Sequence, residues 1–300
     1  MSADLVALGM VAVGLQLSLQ APVNGVLARR TGPIGAALVS FLVGLVLIGL
    51  LLLVTGEASG MAKLDRIEPY ELVGGLCGAA YVAAATLAVG RIGAGAIAAA
   101  TVAGQLTSGI IVDHAGWFGL DPDPAGPLRL LAVPILVSGA LLVSGDRRGG
   151  GRIGLGTIRP VPLGLVFLAG LAVGIQHPLN SSVADLVGDL GAAELNFVVG
   201  TVALGLALLL TGGCGRLRNV PEAPPWSLTG GVIGAVTVVT SLAAVSAIGA
   251  SALAATTIAG ALLGSVLIDR FGLAGVSVRP LDRLRILGVG LLAVCTFAFL

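Results

Sequence analysis

Residues 20–24 read QAPVN and residues 176–180 read QHPLN, each deep inside an apolar run. Gln, Pro and Asn recur at one spacing, and the two stretches lie 156 residues apart. Aligning the chain with itself at that offset extends the match in the C-terminal direction without a gap. GAALVSFLVG at 35–44 meets GAAELNFVVG at 191–200, and EPYELVGGLCGA at 68–79 meets PPWSLTGGVIGA at 224–235. Further on, Gly104 meets Gly260, Asp113 meets Asp269, Gly116 meets Gly272 and Arg129 meets Arg285. A self-match at one fixed period over this length is an internal duplication.

The setting of those stretches is membrane-like. Apolar residues make up 56% of the 300 positions and charged residues 10%, with a mean hydropathy of +1.06. A soluble chain of this size carries about 25% charged residues. The 47 glycines and 4% aromatics suit closely packed transmembrane helices. A net charge of +1 gives no footprint for nucleic acid. Cys77, Cys214 and Cys295 have no pair spacing, so neither a disulfide frame nor a metal site is expected. The chain opens with Asp4 ahead of its first apolar run, which reads as a first span rather than a cleaved leader.

Runs long enough to cross about 30 Å of hydrocarbon fall at 5–28, 33–55, 72–90, 93–112 and 129–145, then at 161–184, 191–212, 228–248, 250–268 and 285–300. The expectation is an all-α membrane protein of ten transmembrane helices. Its parts are a five-helix repeat over 1–146, a cytoplasmic linker at 147–160 and a second five-helix repeat over 161–300. Five is odd, so the second copy enters the membrane upside down, giving a 5+5 inverted-topology repeat. The positive-inside rule tests this. Arg29, Arg30, Arg91, Arg147, Arg148, Arg152, Arg159, Arg216, Arg218, Arg270, Arg279, Arg283 and Arg285 fall on one side, against Lys63, Arg66 and Arg129 on the other. Both termini are therefore expected outside the cytoplasm. The bias comes from the linker and the second half, because the first half alone is balanced, with Arg29, Arg30 and Arg91 against Lys63, Arg66 and Arg129.

The order Q-x-P-x-N, S-F-x-x-G, G-G-x-x-G-x-x-Y, G-Q and D-H-x-G resembles the YdcZ-type family of inner-membrane exporters in the drug/metabolite transporter superfamily. The matching positions are Gln20, Asn24, Ser40, Phe41, Gly44, Gly74, Gly75, Gly78, Tyr81, Gly104, Gln105, Asp113, His114 and Gly116. The second half departs at Thr237, Ala261 and Arg270, which stand for the Tyr, Gln and His. The resemblance spans nearly the whole chain and implies the fused two-half form, placed in a bacterial inner membrane.

Several polar residues are candidates for the site. Gln20 and Asn24, like Gln176 and Asn180, share a helix face at i and i+4, and the proline between them frees a carbonyl one turn earlier. Gln20, Asn24, Tyr81, Gln105, Gln176, Asn180 and Asn196 are read as lining a substrate cavity between the halves. The competing reading is hydrogen bonding between helices, worth about 0.6–2 kcal/mol each. Glu194 stands where the first half has Leu38, inside a span, where a carboxylate is costly and reads as functional. The competing reading places it in a first helical turn, where the dipole favours an anion. His177 stands where the first half has Ala21, and histidine titrates near neutrality. Counted from the turn near Val187, the two lie within about 5 Å in depth at 1.5 Å per residue, so a proton-coupling pair is expected against plain packing. Asp113 and Asp269 end their helices against the dipole, and Arg129 and Arg285 are their expected partners.

No nucleophile–base–orienter set, metal spacing or nucleotide motif is present, so no catalytic residue, metal or cofactor is expected and the chain does not read as an enzyme. Inverted repeats hold substrate at mid-depth between the halves. The reading is a secondary active transporter exporting a small organic solute, coupled to protons, by alternating access. The expected partners are the lipid bilayer, the solute and protons, with no obligate protein partner. A passive small-ion channel built on the same antiparallel repeat is the alternative.

Overall fold

The computed structural model describes residues 3–117, 126–144, 159–279 and 282–298, and every long element among them is an α-helix. The helices are α1 (Ala3–Thr31), α2 (Pro33–Thr55), α3 (Val73–Ala115), α4 (Pro127–Ser144), α5 (Pro160–Val187), α6 (Asp189–Leu210), α7 (Thr229–Phe271) and α8 (Arg283–Ala298). Among the described residues six helices are long and apolar enough to cross a membrane. Short 3-10 segments at Glu57–Arg66 and Cys214–Glu222 connect α2 to α3 and α6 to α7. Most of the expected linker, the side chain of Asp113 and that of Arg129 lie outside the described residues.

The tight turns repeat with the sequence. α1 passes into α2 through Gly32 (φ 79°, ψ 163°), and α5 passes into α6 through Gly188 (φ 82°, ψ 166°). Both lie in the positive-φ region that a side chain disfavours, and Gly188 is the 156-residue counterpart of Gly32. α1 and α5 run unbroken through Pro22 and Pro178; each proline withholds only the one amide its ring replaces.

α3 is two arms rather than one rod. Gly93 leaves the helical region (φ 82°, ψ 168°), at the first residue of the expected span 93–112. α5 confirms the reversal by contact. Gly74 and Gly78 of the first arm meet Asn180 and Gln176, so 74 to 78 runs against α5. In the second arm Thr101 meets Gly170, while Gln105 and Ser108 meet Gly174, so that arm runs along α5 in the same direction. α7 behaves alike against α1. Gly230 meets Asn24, Gly234 meets Gln20 and Gln16 donates to Thr237, while Thr257 meets Gly14 and Gly264 meets Ser18. Thr237 and Thr257 would be about 30 Å apart on a straight helix, yet both lie beside residues 14–16, so α7 folds back between them.

These contacts are reciprocal across the repeat. α1 of the first half lies along both arms of α7, and α5 of the second lies along both arms of α3. Small residues make this possible: a Cβ on Gly14 would sit 2.1 Å from the Thr257 carbonyl oxygen, and one on Gly170 would sit 2.5 Å from that of Thr101. The backbones are already in contact, which is how membrane helices gain packing without a hydrophobic drive between them.

α2 and α6 cross at the centre. Phe41 and Phe197, themselves 156 apart, place ring centroids 4.9 Å apart at 35°, within the range of favourable aromatic pairs. Each ring fills the notch of the other helix's glycine, Phe197 over Gly44 and Phe41 over Gly200. Gly49 opposite Glu194 completes an antiparallel series. Around this pair lies the largest buried cluster, including Ala37, Ile48, Ala193 and Leu204. Each 3-10 connector covers the other half's first turn: Gly60 meets Val187 and Met61 meets Gly191, while Arg216 meets Gly32 and Leu217 meets Gly35.

Candidate transport site

The duplicated amides sit where the halves meet. Asn24 is fully buried (0% exposed); its Nδ2 donates to Ser40 Oγ at 3.4 Å, and its Oδ1 has no hydrogen-bond partner. Gln20 Nε2 donates to the Gly230 carbonyl at 3.3 Å. In the second copy Gln176 Nε2 donates to Asn196 Oδ1 at 3.1 Å. Asn196 is the counterpart of Ser40, so the same two helices are tied in each half with different chemistry. Three of these four amides thus make bonds between elements, and Asn180 is left half-buried with no hydrogen-bond partner among the described residues.

Asn180 and Asn196 border a small cleft of about 10 Å³, together with Glu71, Leu72, Gly75, Val183, Ala192 and Leu195. A glycine lies against each asparagine, Gly74 against Asn180 and Gly230 against Asn24, yet Asn24 is fully buried and Asn180 is half-buried. One member of the duplicated pair is half-buried beside a small cleft and the other is fully buried.

The remaining expected residues are dispersed. Tyr81 is half-buried and its hydroxyl approaches Thr101, whose own Oγ1 is sealed without a hydrogen bond. Gln105 is half-buried on the second arm of α3, beside Gly174. Glu194 points at α2: its Oε1 lies toward Gly49, and its Oε2 is buried with no partner. His177 is on the exposed side of α5. Among the described residues His177 and Glu194 form no ion pair.

Three features escape the sequence reading. Glu71 is 5% exposed, although it precedes its helix. Its Oε1 accepts from Ser182 Oγ and its Oε2 from the Glu68 amide at 2.9 Å. The repeat alignment carries the only signal, a carboxylate opposite Ser227. Asp269 accepts from the amides of Ala94 at 2.9 Å and Gly95 at 3.1 Å, capping the second arm of α3 from the other half. The guanidinium groups of Arg279 and Arg285 act on its charge. Arg285 was the expected partner; Arg279 was not, and it also donates to the Arg91 carbonyl at 3.2 Å.

Long apolar helices, buried amides between two copies of one unit and an unpartnered carboxylate within a span define a multi-pass membrane transporter. The family model described as "Putative inner membrane exporter, YdcZ" matches the chain twice, over residues 5–142 and 161–298. The chain belongs to this family, with one family unit in each half, and is an inner-membrane protein. A comparison with curated proteins gives no match.

Proposed function

We propose that the chain is a secondary active transporter that exports a small organic solute across the inner membrane by alternating access. In this reading ten crossings form two inverted halves, 1–146 and 161–300, joined by a cytoplasmic linker at 147–160, with both termini outside the cytoplasm. α3 and α7 each supply two crossings, one per arm.

The observation that carries the proposal is the inequality of the two equivalent sites. Asn180 is half-buried beside a small cleft while Asn24 is fully buried, although sequence and contacts relate them as copies. On the topology proposed, Asn180 lies toward the outer face and Asn24 toward the cytoplasm. Exchanging the conformations of the two halves would close one and open the other, which is alternating access between inverted repeats. Glu194 is the proposed proton carrier, because a carboxylate oxygen without a partner at the α2–α6 crossing sits where the halves must move. His177, facing elsewhere, is outside that step.

The test is transport by purified protein in liposomes under an imposed pH gradient, screened with small metabolites and organic cations. Saturable, gradient-driven flux that disappears in Glu194→Gln is expected. Equal flux in the variant refutes the role of Glu194, and a linear, non-saturating conductance refutes the transporter.

A further inference from the structure

The reversal of α3 at Gly93 is held by charges from the other half. Asp269, near the end of α7, is buried and accepts from the amides of Ala94 at 2.9 Å and Gly95 at 3.1 Å. Arg279 is also buried and donates through Nη2 to the Arg91 carbonyl at 3.2 Å. The carboxylate thus meets amides in the first turn of the second arm, and the guanidinium meets a carbonyl in the last turn of the first arm. Those helix ends leave such groups without intrahelical partners, and the dipole favours an anion at one and a cation at the other. The backbone ties the two charges together, because the Arg279 amide donates to the Asp269 carbonyl at 2.8 Å. One strap of the second half therefore clamps both arms of α3 where they reverse.

Glycine leaves the room for this strap. A Cβ on Gly93 would lie 2.9 Å from Arg279 Nε and 3.1 Å from Asp269 Oδ1, and one on Gly95 would lie 2.9 Å from Asp269 Oδ2. Arg285, buried as well, is a second cation acting on Asp269. The repeat copies only part of the arrangement. At the 156-residue offset Asp113, Gly249 and Ala250 correspond to Asp269, Gly93 and Ala94, but Asp123 stands for Arg279 and Ser251 for Gly95. An ionised aspartate has no hydrogen to donate to a carbonyl, so the cationic part of the strap belongs to one face alone. On the proposed topology that face is the cytoplasmic one.

The strap also joins the two packed units of the fold. α5 lies along both arms of α3, and α1 lies along both arms of α7. Asp269 and Arg279 reach from α7 and the segment after it to α3, across the boundary between these units. A movement that separates the units at the cytoplasmic face has to break all three bonds together. The amides and the carbonyl would then be orphaned unless water replaced their partners, so releasing the strap and wetting this face are one event.

We infer that Asp269 and Arg279 are the latch of the cytoplasmic gate, holding the arms of α3 at Gly93 while the outer face opens. As a gate this rests on the transporter reading, but the coupling between the two faces is measurable without any flux.

The test is hydrogen–deuterium exchange, followed by mass spectrometry, on the full-length protein in phosphatidylcholine nanodiscs. Gly95→Ala crowds the carboxylate, and Arg279→Gln removes the cation; both keep Asp269. Each should raise exchange in peptides covering 92–97 at least ten-fold. Each should also slow exchange several-fold over 71–75, the outer turn that begins α3 and whose amides are bonded locally. A helix cap with no gating role loosens the first segment and leaves the second unchanged. Arg30→Gln, which breaks an exposed ion pair with Glu222, should alter neither. Asp269→Asn should exceed both variants, and where it does not give a monodisperse protein Gly95→Ala and Arg279→Gln decide. Faster exchange at 92–97 alone, faster exchange at both segments, or no change at either overturns the latch. Gradient-driven flux accompanied by a purely local change refutes the latch and leaves the transporter. Opposed changes at the two faces with no flux of any solute do the reverse.

Discussion

Replacing Gly44 by alanine tests the central crossing of α2 and α6. A Cβ there would lie 2.1 Å from Phe197 Cε1, which is 1.3 Å short of the 3.4 Å where ordinary van der Waals contact begins. The ring cannot slide freely, because it stacks on Phe41, which occupies the mirror notch at Gly200. Overpacking of this kind costs about 1–3 kcal/mol. The alanine itself favours the helix by up to about 1 kcal/mol over glycine, so the net loss should be near 1–2 kcal/mol, about a five- to thirty-fold fall in the folded-to-unfolded ratio. Gly205, on the same face-crossing helix α6, meets nothing within 4 Å, and Gly205→Ala should be neutral or stabilising. Reversible unfolding in mixed micelles, followed by circular dichroism, measures both. Phe197→Leu, which removes the clashing ring, should recover part of the loss in the Gly44→Ala background and make the pair non-additive. If Gly44→Ala is as stable as Gly205→Ala, the two halves do not meet ring-in-notch and the reciprocal packing is wrong.

Other outcomes follow from the same contacts. Asp269→Asn leaves Arg279 and Arg285 buried without their carboxylate and weakens two bonds to the Gly93 turn; a loss of about 3 kcal/mol is expected, read as a lower melting temperature in detergent, with Arg279→Met recovering part of it. Gln176→Leu removes one interhelical hydrogen bond to Asn196 and should cost about 1 kcal/mol, measured by the same unfolding assay. Cys214 is exposed in the α6–α7 connection and Cys77 is buried. In a Cys295→Ser background, an impermeant maleimide should reach Cys214 from the cytoplasmic side only, and labelling from the outside would reverse the proposed topology.

Much of this architecture is readable in the chain. The duplication rests on apolar runs and on glycine and amide positions that repeat at one offset, and the turns at Gly32 and Gly188 show why: a positive-φ residue must be glycine in both copies. Expected span limits at 93 and 250 anticipate the reversals within α3 and α7. The exchange of first helices between halves is not readable, because α1 meets α7 through glycine against backbone carbonyl, a contact that leaves no side-chain pattern. The site is only partly legible. Gln176 and Asn196 do meet, but His177 lies on the exposed side of α5 while Glu194 lies toward Gly49 of α2, which counting residues along each helix does not give. Glu71 immediately precedes the expected span 72–90, and its bond to Ser182 of α5 comes from more than a hundred residues away.

The most direct measurement compares the two equivalent sites. Cysteine is placed at Asn24 or at Asn180 in a protein lacking its native cysteines, and impermeant maleimide is applied to oriented membranes from each side. The account predicts outside labelling at 180 and inside labelling at 24, with any condition that raises one rate lowering the other. Simultaneous reactivity of both positions, or rates that rise and fall together, would contradict alternating access between inverted halves.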